Sequence, residues 1–222
     1  MNARTFICAA LAALALPAFA QTTGTEWNAY NIPPIIDFFG SPEIFSTALG
    51  QAVHFNGSTD GAFVDAVPVK GMEEFTLEVI FRQDADAAFE QRFLHIGTTG
   101  PRILFETRVN PDGTWYFDTH VNLGSKEQSA TLIDPKLTHP AGKWYNLTLV
   151  ASKDGLVNYV NGVEQCRSSL PYRPVINEGF TSVGVRQNKV CWFKGDIFMI
   201  RVTPKALTPD KFSKDYIKLN GR

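Results

Sequence analysis

Phe75, Leu77, Val79 and Phe81 occupy every second position of one run, and that spacing constrains this chain more than any other feature. Successive side chains of a strand point to opposite faces, so the four share one apolar face of an extended segment. Thr76, Glu78 and Arg82 alternate with them and are expected on a solvated face. From Gln51 onward, short extended segments recur between turn signals at the roughly 8–12-residue spacing of a sandwich. The expected strands are Ala52–Phe55, Phe63–Val67, Phe75–Arg82, Arg92–Ile96, Ile103–Val109, Trp115–Val121, Ser129–Ile133, Trp144–Ala151, Leu156–Val160, Val163–Arg167, Phe180–Val185 and Phe193–Val202. They predict an all-β fold, a two-sheet antiparallel β-sandwich.

Two local signals sharpen this picture. Asn161-Gly162 between Val160 and Val163 predicts a type I′ hairpin turn, because both central positions need positive φ. Thr208-Pro209 reads as an N-cap followed by proline at the first helical position. A short C-terminal helix to about Leu219 is therefore expected, laying Leu207, Phe212 and Tyr216 on the body. Residues 21–48, with Pro33, Pro34 and Pro42, read as an irregular N-terminal arm; 49–222 then form one domain.

The first twenty residues read as a secretory signal peptide. Arg4 lies in a short n-region, Phe6 to Leu16 form an uncharged apolar run, and Ala18 and Ala20 sit at the small positions before Gln21. The apolar run is too short for a membrane span. An extracytoplasmic chain, secreted or periplasmic, is expected, with no membrane insertion after cleavage. Lys plus Arg number 21 against 22 acids, and loss of Arg4 leaves 20 against 22. That balance argues against a nucleic-acid partner, which wants a basic footprint. Cys8 leaves with the leader, so Cys166 and Cys191 are expected to pair. The bridge would close a 25-residue loop and stabilise by about 3 kcal/mol.

Four ordered segments resemble the laminin-G-like jelly roll of the concanavalin A-like lectin/glucanase superfamily. They are VHFNGSTDGAFV (53–64), EFTLEVIFR (74–82), GKWYNLTLVASKDGLVNYVNGVEQ (142–165) and FKGDIFMIRVTPKALTPDKF (193–212). The resemblance implies a jelly roll that binds or cleaves glycans, or serves in adhesion. It departs from the family at Asn56, where an Asp is usual, and at Phe198 and Met199, where the family carries Asp and Glu. Calcium wants several hard oxygen ligands, so these departures speak against a calcium cofactor; Asp60 and the carbonyls around Asn56 are what remains for one. The hydrolases of the superfamily place three carboxylates as E-x-D-x-x-E along one strand. No Glu here has an Asp two residues later.

One polar constellation follows from strand geometry. If Ile103–Val109 and Trp115–Val121 pair across the turn Asn110–Thr114, Arg108 faces Tyr116, Glu106 faces Asp118 and Leu104 faces His120. Phe105, Thr107, Val109, Trp115, Phe117 and Val121 take the apolar face. Glu106, Arg108, Tyr116, Asp118 and His120 are thus the candidate ligand-binding residues, with Tyr116 as a stacking plate. Directly opposed carboxylates repel, so Arg108, a protonated His120, a bound cation or a raised carboxyl pKa should accompany Glu106 and Asp118. No catalytic residues are assigned. The expected function is a non-catalytic module recognising a glycan or another cell-surface ligand. The alternatives are a polysaccharide-cleaving enzyme using Glu106 and Asp118, or a protein-interaction domain docking through residues 21–48. Oligomeric state is left open. Trp144 and Trp115 are expected in the core, Trp192 over the disulfide, Trp27 as a plug or platform, and His54 and His95 as structural residues.

Overall fold

The computed structural model describes residues 24–28 and 35–221; the expected leader lies outside them. Their strands are β1 (Thr25–Trp27), β2 (Ile35–Phe39), β3 (Glu43–Thr47), β4 (Gly50–Asn56), β5 (Gly61–Val64), β6 (Phe75–Gln83), β7 (Glu90–Gly97) and β8 (Arg102–Val109). There follow β9 (Thr114–Asn122), β10 (Ser129–Ile133), β11 (His139–Pro140), β12 (Trp144–Ser152), β13 (Gly155–Val160), β14 (Val163–Ser168), β15 (Phe180–Val183) and β16 (Lys194–Thr203). A 3-10 turn (Pro209–Lys211) and helix α1 (Asp215–Leu219) end the chain.

The strands form two antiparallel sheets. Sheet I runs β14-β13-β12-β6-β16-β4-β3, with β1 also on β16; sheet II runs β10-β9-β8-β7-β15-β5-β2, with β11 also on β9. Consecutive strands β8 and β9 pair by a hairpin, whereas β6 lies between β12 and β16, so the sandwich closes through distant segments. The inner faces meet in an aromatic core. Phe81 stacks on Phe93 at 5.3 Å and meets Trp115 edge-on at 5.0 Å, and Phe105 meets Phe117 at 5.0 Å. The four residues of the Phe75 stripe are all fully buried.

The other side of β6 is solvated at Arg82, which is partly exposed, but not at Thr76 and Glu78. Thr76 and Glu78 are fully buried, because the C-terminal segment returns across the outer face of sheet I. Glu78 Oε1 accepts from Ser213 N at 2.7 Å, and Thr76 Oγ1 accepts from Leu207 N at 2.9 Å. A second apolar cluster forms beneath it: Ala52, Ile80, Trp144 and Met199, packed by Tyr216 and Leu219. Trp144 is therefore buried, but outside the main core, while Trp115 lies within it. The expected single helix is two pieces. Phe212 adopts an extended conformation after the 3-10 turn and packs against Tyr159 at 5.2 Å.

The Asn161-Gly162 turn has the expected positive φ at both positions, 53° and 80°. The arm expected to be irregular contains β1, β2 and β3, each held by hydrogen bonds to a later strand, so its order comes from sheet edges rather than its own sequence. Trp27 is buried in the core. The expected Cys166–Cys191 bridge is not formed; both thiols are free. Cys166 lies on β14, opposite Asn158 in sheet I, whereas the Cys191 thiol donates to Glu90 Oε2 of sheet II at 3.1 Å. Trp192 accordingly covers no disulfide and meets Phe39 edge-on at 6.2 Å.

Candidate functional site

The β8–β9 hairpin has the register expected from its alternation: Val109 opposite Trp115, Arg108 opposite Tyr116, Glu106 opposite Asp118 and Leu104 opposite His120. The alternation sends Phe105, Phe117 and Trp115 inward and turns Glu106, Arg108, Tyr116, Asp118 and His120 to the outer face of sheet II. Strand β7 adds residues that its own periodicity conceals. Glu90 lies opposite Arg108 and Arg92 opposite Glu106, and a bulge between Arg92 and Leu94 shifts the register. The extra residue returns His95 to the face of Arg92, opposite Leu104. Arg102, at the start of β8, completes the strand contribution.

The face divides into two halves. In the first, Arg108 holds three carboxylates. Its guanidinium Nη2 lies 2.7 Å from Asp118 Oδ2, 3.2 Å from Glu106 Oε2 and 3.8 Å from Glu90 Oε1. Arg92 Nε lies 3.2 Å from Glu106 Oε1, out of line for a hydrogen bond, and Asp118 Oδ1 has no donor among the described residues. Glu106 and Asp118 are each only 4% exposed. Burial, partly offset by Arg108 and reinforced by Glu106, pushes the Asp118 carboxyl up to about 6. The hydrogen bond from Cys191 holds Glu90 below the usual carboxylate range. Tyr116 is 8% exposed, which leaves no open ring for a sugar to stack on.

The second half holds His95, Arg102 and His120, and the charge of Arg186, from the loop after β15, acts on all three. His120 Nε2 lies 3.3 Å from the Arg102 guanidinium, and its Nδ1 2.9 Å from Thr131 Oγ1. Arginine can only donate, so Nε2 accepts and the proton sits on Nδ1. His95 Nε2 lies 2.9 Å from the Thr98 carbonyl, which can only accept; its Nδ1 is then an acceptor, buried and with no partner among the described residues. Burial, with Arg102 and Arg186 adding to it, pushes both imidazoles down to about 4. Both are neutral at pH 7.

Arg186 reaches this half through Gly184. Gly184 has φ +78°, and a Cβ there would stand 2.3 Å from the Phe55 ring. Its amide donates to Phe93 O and its carbonyl accepts from Phe193 N, each at 2.9 Å, pinning both ends of the loop. Gly184→Ala is expected to cost about 2–4 kcal/mol through left-handed strain and overpacking, read as a lower denaturant midpoint. Sequence reasoning missed Glu90, Arg92, His95, Arg102 and Arg186. Pairing β7 with β8 would have supplied the first two, but no local signal brings Arg186 to this face.

The residues left for calcium do not fit it. Asn56 Oδ1 accepts from the amides of Ser58, Thr59 and Asp60. Asp60, 4% exposed, accepts from Ser41 N and Asn56 N. These oxygens stabilise the turn itself. His54, Asp84 and Asp196 place possible ligand atoms within 4.8 Å of one another. Asp196, however, already faces His54 Nδ1 through one oxygen and Arg82 Nε through the other. An apolar cavity of about 200 Å³ opens between the sheets, lined by Trp27, Phe38, Ile44, Phe55, Ile197 and Phe198 among others. Asn28 and Ile35 also line it and flank residues outside the described set.

Comparison with solved structures finds the same fold in several proteins. Domain 4 of AbnA, an extracellular arabinanase from Geobacillus stearothermophilus solved with arabinotriose, superposes with a TM-score of 0.60 at 19% identity, over 89% of this chain and 87% of that one. The CBM40 domain of a Ruminococcus gnavus sialidase, bound to α2,3-sialyllactose, gives 0.57 at 16% identity, over 77% and 96%. A SAP-like pentraxin from Limulus polyphemus gives 0.54 at 18%, over 71% and 77%. No curated protein matches the sequence significantly. A family model described as the concanavalin A-like lectin/glucanases superfamily matches residues 56–212, well over half of the chain. With the two-sheet antiparallel sandwich and the four ordered segments, this match establishes that the chain belongs to that superfamily, in its laminin-G-like branch.

Proposed function

We propose that this protein is an extracytoplasmic, non-catalytic glycan-binding module whose ligand lies on the outer face of sheet II. The observation that carries the reading is the contrast between the two outer faces. That of sheet I is covered by the C-terminal segment, whereas sheet II presents Arg92, Arg102, Arg108 and His120, all partly exposed. Guanidinium and imidazole groups on a rigid sheet suit hydrogen bonding to sugar hydroxyls and their substituents. The arabinotriose and sialyllactose bound by structural neighbours support the ligand class. One of those sugars is neutral and the other acidic, so the fold leaves the ligand's charge open.

The raised pKa of Asp118 beside Glu106 favours an enzyme as a second reading, since such pairs divide acid and base roles. Against it, both carboxylates are buried and bridged by one arginine. A glycosidic oxygen would have to displace that bridge. The test is affinity electrophoresis of the chain from Gln21 through gels containing neutral or acidic polysaccharides, with a reducing-sugar assay alongside. Retardation without turnover is expected. Migration unaffected by every polysaccharide would sink the binding reading, and turnover lost in Asp118→Asn would install the enzyme. Secretion predicts a mature N-terminus at Gln21, read by mass spectrometry of exported protein.

A further inference from the structure

The cavity between the sheets is a feature that the glycan reading leaves unused. It opens at the end of the sandwich between β2 and β3, the terminal strands of sheet II and sheet I. Sheet I supplies Trp27, Phe55, Ile197 and Ile200 to its walls and sheet II supplies Ala62 and Val183, each no more than 6% exposed. Ile35, Phe38 and Ile44 form the rim and are 42%, 54% and 53% exposed. Elsewhere the core is filled by large rings, with Phe81, Phe93, Trp115 and Phe193 fully buried in mutual contact. Toward β2 and β5 the inward residues of sheet II shrink to Ala62 and Val183. The Phe55 ring stays at the wall, held by Phe193 at 6.1 Å and by the backbone at Gly184, where no Cβ intervenes. Folded interiors hold few voids larger than a water molecule, so a space of about 200 Å³ calls for an occupant. Water needs two to four polar partners, and these side chains offer carbon surface almost throughout.

We propose that the cavity binds a small aromatic group, a single ring whose short chain leads out between β2 and β3. An apolar cavity of about 150 Å³ in another protein stays dry and takes up benzene; this one has room for a ring and part of a chain. The Trp27, Phe38 and Phe55 rings on its lining favour an aromatic guest, since edge-to-face and offset contacts add to the gain from burial. The apolar rim receives the chain, and a charged or hydroxylated end stays in solvent. Ala62 and Val183 face the cavity, whereas the opposite side of sheet II carries the arginines and histidines, so this site does not depend on the glycan face.

The test is calorimetric titration of the chain from Gln21 with 4-phenylbutyrate at neutral pH and fixed ionic strength. Binding with a Kd below about 1 mM is expected, together with a melting temperature raised by the ligand. Octanoate, an aliphatic chain that loses more freedom on binding, should bind at least about threefold more weakly. Ala62→Leu extends into the space and should weaken 4-phenylbutyrate at least about tenfold, while the free protein melts no lower than the parent. Should that variant not fold, Val183→Ile adds a single methylene and should still weaken binding at least about threefold. Val163→Ser, at an exposed position of β14, should change nothing. The proposal is overturned by octanoate binding as tightly as 4-phenylbutyrate, by affinity that survives the cavity-filling substitution, or by an equal loss in Val163→Ser. Absence of binding also overturns it; a melting temperature lowered by Tyr30→Ser would then assign the space to residues 29–34, which join Asn28 to Ile35 along the chain. None of these outcomes bears on retardation by polysaccharides, so the glycan reading stands or falls separately.

Discussion

Replacing Arg108 with methionine is expected to destabilise the protein by about 3–5 kcal/mol at pH 7, the range for removing one partner of a buried ion pair. Methionine fills much of the space of the arginine stem, so the loss isolates the charge. Arg108 lies within 4.0 Å of Glu106, Asp118 and Glu90. Without it, two nearly fully buried carboxylates face each other across the β8–β9 ladder, and Arg92 is the one arginine left within 4.0 Å of either among the described residues. The deficit should shrink at pH 5, where protonation relieves the pair. Urea unfolding at the two pH values reads both effects.

Asp118→Asn should behave in the opposite way. The Asp118 carboxyl is pushed up to about 6, above its unfolded value, so its contribution is fully present below the unfolded pKa and lost as pH rises through about 6. At pH 7 its ionised form is a cost, and the asparagine variant is expected within about 1 kcal/mol of the parent despite the 2.7 Å contact with Arg108. His95 and His120 are pushed down to about 4; the stability they confer is present above their unfolded pKa and lost as pH falls toward 4. In the parent, proton uptake by Asp118 opposes that loss. The Asp118→Asn variant should therefore lose about 2 kcal/mol more than the parent between pH 7 and 4.5, seen as a steeper fall of melting temperature with acid.

Glu78→Ala is the second large effect, about 3–5 kcal/mol. Glu78 is fully buried and both of its oxygens are engaged: Asn146 Nδ2 and Ser213 N donate to Oε1, and the Arg201 guanidinium to Oε2. Truncation leaves Arg201 without its carboxylate and Ser213 N without its acceptor. Because Ser213 belongs to the covering segment, the loss should also loosen residues 204–221 from sheet I. Trypsin should then cut faster at Lys211, Lys214 and Lys218, whereas Glu78→Gln, which keeps the shape and some of the hydrogen bonds, should show a smaller change. Equal digestion rates for parent and Glu78→Ala would show that the segment is held by Phe212, Tyr216 and Leu219 alone.

Period-2 alternation and turn chemistry were enough to specify the two-sheet class, the Asn161-Gly162 hairpin and the β8–β9 register, including the opposition of Glu106 to Asp118. These follow from the pleat and from short connections, which act over a few residues and leave little choice of partner. What faces the outer side of a strand is decided by segments far away in sequence. Glu78 is buried by a residue 135 positions later; Arg186 joins His95 only because β15 pairs with β7; and Cys166 and Cys191 stay apart because their segments attach to different sheets. Long-range strand pairing depends on the summed burial of the whole core rather than on any local signal, so only the tertiary structure could place these residues.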